Sequence, residues 1–122
     1  MSDLSQLHEL RYSYRRDHRW NYLSPNGEKG VLNMTSLLYA NNGNFLRDAA
    51  IMGKGVMIAP SFFFFEAFKN GSLVRLLPNH AFDEMGAYAL YPPTRYLSAR
   101  ARALIDFLVN ECGDEPYWDN IR

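Results

Sequence analysis

The chain has 122 residues, of which 48% are hydrophobic and 21% charged, with eight glycines and six prolines. That mix suits one compact globular domain and excludes a disordered, collagen-like or low-complexity chain. Thirteen Lys and Arg balance thirteen Asp and Glu, so the net charge is zero and a phosphate-binding surface, which needs a basic excess, finds no support.

Residues 3–8 suggest a short helical turn. From 10 to 14, Leu10, Tyr12 and Tyr14 alternate with Arg11 and Ser13, a strand pattern. Arg11, Arg15, Arg16, His18 and Arg19 then form a local basic cluster, offset in part by Asp3, Glu9 and Asp17 and read as a solvated edge. Segments 20–23 and 29–34 flank Ser24-Pro25-Asn26-Gly27, the strongest hairpin signal in the chain. Residues 36–40 form a further apolar strand candidate.

Asn41-Asn42-Gly43-Asn44 punctuates the chain, and Asn side chains readily cap helices. Phe45, Leu46, Ala49 and Ala50 follow on one helical face, which Gly53 is placed to stop. Residues 56–59 read as a short buried strand. Pro60 suits a helix start, and Phe62, Phe63, Phe64 and Phe65 follow in succession. Helical neighbours sit about 100° apart, so four rings in a row wrap the circumference and at least one must face a cleft, a partner or solvent. Asn70-Gly71 ends the helix, and residues 73–77 and 87–91 read as strands. Ser98 is a helix cap ahead of the stripe Leu97, Ala101, Leu104, Ile105, Leu108 and Cys112. Helices and strands alternate through the second half, which favours an α/β fold.

Cys112, the one cysteine, cannot form an internal disulfide; with no apolar signal in residues 1–30, the expected compartment is the cytoplasm. The longest apolar stretch, 56–65, falls short of the roughly 20 residues a membrane helix needs, so no membrane partner is expected. The sequon at Asn33-Met34-Thr35 is read as chance. His8, His18 and His80 show no metal-ligand spacing, and Gly53-Lys54-Gly55 is a turn rather than a phosphate loop. No nucleophile elbow is present, Cys112 reads as a packed thiol, and the adjacent Asp83 and Glu84 point apart on most backbones. No catalytic residue, metal or cofactor is expected, and the chain reads as a non-enzyme.

The run from Asn41 through Phe45, Gly53-Lys54-Gly55 and Val56 to Pro60 resembles the effector-binding domain of LysR-type transcriptional regulators. In that family a strand ends in a polar pair, a helix follows, then Gly-x-Gly, then a short apolar strand ending in Pro. Downstream, Gly71-Ser72-Leu73-Val74-Arg75-Leu76-Leu77, Tyr88-Ala89-Leu90-Tyr91-Pro92 and the helix from Ser98 resemble the family's closing segments, and Pro116-Tyr117-Trp118-Asp119 resembles tails seen in one branch. No single motif is specific, but their order and spacing are, from about Leu4 to Asp119.

The resemblance implies a periplasmic-binding-protein-like (type 2) half, a mixed sheet flanked by helices. Residues 1–112 would form part of the effector-binding domain, its second subdomain plus the return segment, and 113–122 a C-terminal tail. The family's winged helix-turn-helix and first subdomain find no counterpart here, so direct DNA contact is not expected. A small organic effector, favoured as an anion by helix N-termini, would bind at Pro60, Ser61 and Phe62, with Asn41 and Asn42 beside them. Pro60 could instead merely start a helix, and the Asn pair merely cap one. The stripe from Leu97 to Leu108 would lack its usual cover and pack on its own domain or on a second chain, through self-association or pairing with a LysR-type regulator. Two other readings are an interaction module that pairs with a full-length regulator without binding a small molecule, and a periplasmic solute-binding protein; a half-sized cleft and no signal segment argue against the latter.

Overall fold

Among the described residues of the computed structural model (3–14, 18–82, 86–93, 96–113 and 116–120), strands run over His8–Tyr12 (β1), Arg19–Leu23 (β2), Lys29–Asn33 (β3), Thr35–Ala40 (β4) and Ala81–Phe82 (β5). Backbone packing divides the chain into two units, Met1–Glu84 and Met85–Arg122. The strands all belong to the first.

The hairpin β2–β3 forms where its turn chemistry predicts. The Gly27 N–H donates to the Ser24 carbonyl, and the Ser24 N–H to the Glu28 carbonyl, each at 2.9 Å. The Ser24 hydroxyl accepts from the Glu28 N–H at 3.1 Å. Trp20 and Leu32 face each other across the antiparallel pair and both are buried, while Arg19, Asn21, Lys29 and Val31 are exposed. β5 adds to the other edge of β2, pairing Phe82 with Tyr22, and the Phe82 ring meets the Trp20 ring edge-on at 6.0 Å.

The second sheet is parallel. β1 pairs with β4, with an irregularity between Glu9 and Leu10. On its other side β1 takes up the segment at Val56, also in parallel. The Leu10 N–H donates to the Val56 carbonyl at 2.8 Å and the Val56 N–H to the His8 carbonyl at 2.9 Å. Gly55 makes this approach possible, because a Cβ there would run into the His8 carbonyl oxygen. The helix Gly43–Ile51 (α1) crosses from β4 to the Val56 segment, packing on both β1 and β4. Leu46 on α1 and Leu10 on β1 are both fully buried.

Leu4, Trp20, Leu32 and Met34 form the buried apolar cluster, with Tyr22, Val56, Ile58, Leu77 and Phe82 packed around it. Beside it lies a carboxylate. Glu9 is 1% exposed; its Oε1 accepts from the Trp20 indole N–H at 2.8 Å and its Oε2 from the Ser36 hydroxyl at 2.6 Å.

Three sequence expectations need correction. Residues 73–77 form no strand: Ser72 is turned back onto Asn70 through a 2.6 Å hydrogen bond, and Leu77 has φ 53°, which no strand residue can hold. Residues 87–91 form no ladder and are exposed throughout, so no sheet face buries their apolar side chains. Residues 56–59 are extended but half-buried, with pairing at Val56 alone. Arg15, Arg16, Asp17, Asp83 and Glu84, singled out in the sequence, lie outside the described residues.

In the second unit, Ser98 caps the helix Ala99–Cys112 (α2) by accepting from the Ala101 N–H at 3.2 Å. Leu97, Ala101, Ile105 and Cys112 are half-buried, whereas Leu104 and Leu108 of the same stripe are exposed. Among its described residues, the tail beyond Gly113 carries a turn closed by the Asp119 N–H on the Pro116 carbonyl at 2.9 Å. No helix among the described residues is long and apolar enough to cross a membrane.

Removing the Glu9 carboxylate strands an indole N–H and a hydroxyl between the sheets. Glu9→Ala should therefore destabilise the fold by about 2–4 kcal/mol. Glu9→Gln, which keeps an acceptor for Trp20, should cost about half as much. Urea denaturation of the three chains measures both.

Candidate functional site

Because β1, β4 and the Val56 segment run parallel, their C-terminal ends lie on one edge of the sheet. In open α/β sheets, that edge is where ligands sit. Two of its exits carry the residues singled out in the sequence.

At the first exit, β4 ends at Ala40 and Asn41 and Asn42 follow, both exposed. Asn42 is extended (φ −123°, ψ 111°), and its side-chain oxygen accepts from the Phe45 N–H at 3.1 Å. Its amide oxygen is thus committed to the cap of α1, the structural role the sequence left open. At the second exit, Pro60 precedes a 3-10 turn, Ser61–Phe63, which leads into the five-residue helix Phe65–Lys69.

The four phenylalanines do not share the one α-helix the sequence suggested: Phe62 and Phe63 lie in the 3-10 turn, Phe64 at the junction and Phe65 at the start of the short helix. Phe64 is buried, Phe63 and Phe65 are half-buried, and Phe62 is 53% exposed. Phe62 stacks on Phe63 with centroids 4.6 Å apart. The Phe63 ring in turn rests on Gly43, the first residue of α1, where a Cβ would come within 2.8 Å of the ring. That contact joins the two exits and brings Asn41 and Asn42 into the neighbourhood of Pro60, Ser61 and Phe62. The sequence marked both exits but not the Gly43–Phe63 contact, because a glycine at a helix start also serves as a plain boundary.

A separate open groove of about 250 Å³ lies between α1 and the helix that follows Phe64, lined among others by Arg47, Asp48, Phe63, Glu66 and Asn70. Of the exit residues only Phe63, outside the predicted set, reaches it. Its one cation, Arg47, is paired with neighbouring Asp48 at 2.9 Å. No group of His, Cys, Asp and Glu among the described residues could hold a metal.

A mixed α/β fold with a parallel sheet, and helix starts gathered at its C-terminal edge, is that of a periplasmic-binding-protein-like ligand-binding domain. Residues 1–113 match the LysR substrate binding domain, and the chain belongs to that family. It is 38% identical over 90 residues to PtxR of Pseudomonas aeruginosa, an HTH-type transcriptional regulator, covering 74% of this chain and 29% of PtxR. It is 28% identical over 85 residues to TtdR of Escherichia coli K12, an HTH-type transcriptional activator, covering 70% of this chain and 27% of TtdR. Among solved structures, the regulatory domain of AphB from Vibrio vulnificus superposes with a TM-score of 0.70 at 28% identity. That match covers 89% of this chain and 54% of the AphB chain. The chain thus spans under a third of the regulators it matches and about half of a regulatory domain.

Gly43→Ala should push a methyl group into the Phe63 ring and lower stability by about 1–3 kcal/mol. In a double-mutant cycle, Phe63→Leu should recover part of that loss, because the two positions touch. Denaturation midpoints of the four chains measure the coupling.

Proposed function

We propose that this chain is the second lobe, with the return segment, of the effector-binding domain of a LysR-type regulator. It binds a small organic effector at the sheet edge formed by Pro60, Ser61 and Phe62, with Asn41 and Asn42 beside them. The observation that carries this reading is the parallel alignment of β1, β4 and the Val56 segment, which delivers both exits to one edge. Membership of the LysR substrate binding domain family supports it.

The edge suits binding rather than catalysis. It offers amides, a hydroxyl, exposed aromatic surface and the N-terminus of α1, whose first backbone N–H groups favour a negative group nearby. The described residues there include no paired carboxylates and no nucleophile beside a base. With net charge zero, this part of a regulator would reach DNA through other segments, and a second copy or another LysR-type chain would be its protein partner.

Thermal denaturation of the chain with aliphatic and aromatic carboxylates tests the reading. At about ten times Kd, a true effector should raise Tm by about 5 °C. Ser61→Ala and Phe62→Ala should each weaken that saturable shift, measured against each variant's own unliganded Tm. No shift with any compound, or equal shifts in both variants, would contradict it.

A further inference from the structure

The basic cluster near the start of the chain is not wholly a solvated edge. Arg11 on β1 is half-buried, and its guanidinium carbon lies 4.3 Å from the centre of the Tyr39 ring on β4. One of its terminal nitrogens donates to Nδ1 of His18 at 2.7 Å. Among the described residues no carboxylate is paired with it, and its Nε is shielded from water without an acceptor. A guanidinium carries five donors and a permanent charge; among the described residues one terminal nitrogen is engaged by His18 and the shielded Nε has no acceptor. Glu9, two residues earlier on the same strand, cannot answer the charge, because Trp20 and Ser36 occupy its two oxygens.

We infer that Arg11, His18 and Tyr39 form a carboxylate-binding subsite. Each residue has a distinct part. Stacking on Tyr39 fixes the guanidinium plane. With Nδ1 accepting from Arg11, the neutral imidazole of His18 carries its proton on Nε2 and presents a second N–H donor. The Tyr39 hydroxyl, on an exposed side chain, is a third. A planar guanidinium held in advance matches the two oxygens of a carboxylate and loses little freedom on binding it.

The subsite lies close to the proposed effector edge. Arg11 pairs with Tyr39 and Tyr12 with Ala40, so Asn41 follows Tyr39 by two residues, about 7 Å along the strand. On the effector reading above, on which this assignment rests, the bound molecule is an organic acid. Its carboxylate lies on Arg11 and its body extends toward the strand ends.

Titration of the whole chain with malonate, against its neutral counterpart malonamide, tests the subsite by calorimetry or by amide chemical shifts. Malonate should saturate and malonamide should not. Arg11→Gln should weaken malonate about tenfold or more, and Arg11→Lys, which keeps the charge but loses the fork, by several-fold. His18→Ala, at an exposed position, reads the same site should Arg11→Gln fail to fold, and should also weaken binding. Arg47→Gln, on α1, should leave binding unchanged. An unchanged malonate Kd in Arg11→Lys and His18→Ala, equal binding of malonamide, or an equal loss in Arg47→Gln would each overturn the assignment. No malonate binding at all would overturn it too. A neutral compound whose Tm shift still depends on Ser61 and Phe62 would leave the effector reading standing without this subsite.

Discussion

A carboxylate taken out of water costs several kcal/mol unless every oxygen finds a donor. Glu9 meets that condition only in one arrangement of the surrounding strands. Its two partners come from different places: the Trp20 indole from the antiparallel hairpin and the Ser36 hydroxyl from β4. Satisfying Glu9 therefore positions the hairpin against the parallel sheet and pairs the N-terminal halves of β1 and β4. Leu10, the next residue, then points to the other face, where α1 lands with Leu46. The apolar cluster around Trp20 supplies the favourable burial, but it is indifferent to small slips that the hydrogen bonds penalise.

Once β1 lies between β4 and the Val56 segment, the rest of the edge follows. Parallel strands need a crossover, and α1 is that crossover. It must begin where β4 stops, which places Asn42 at its cap, and it must end before Gly55, which lets the chain pass close to His8. The next exit arrives at Pro60 on the same edge, and the Phe63 ring seats against Gly43. The result is a surface of amides, aromatic faces and backbone N–H groups, chemistry suited to holding a small molecule and returning it unchanged.

Much of this was legible from local signals. Ser24-Pro25-Asn26-Gly27 marks its hairpin because the turn residues act on their own backbone. Asn42 and Ser98 mark helix starts for the same reason, and the phenylalanine run foretold an outward ring. What could not be read depends on partners distant in sequence. Residues 73–77 and 87–91 have strand-like composition but join no ladder, and most of their apolar side chains stay exposed. Arg11 looked like one more solvated cation because its stacking on Tyr39 requires β1 and β4 to pair. Glu9 carried no signal of burial, since its two donors lie 11 and 27 residues away.

The most direct measurement is a map of backbone amide shifts for the whole chain on saturation with an organic acid that stabilises it. Changes should concentrate at Asn41–Gly43 and Ser61–Phe63 with a second group around Arg11 and Tyr39, the C-terminal side of the parallel sheet. Changes centred on His8, Thr35 and Val56 at the opposite edge, or on the Arg47–Glu66 groove, would contradict the claim that the strand exits form the recognition surface.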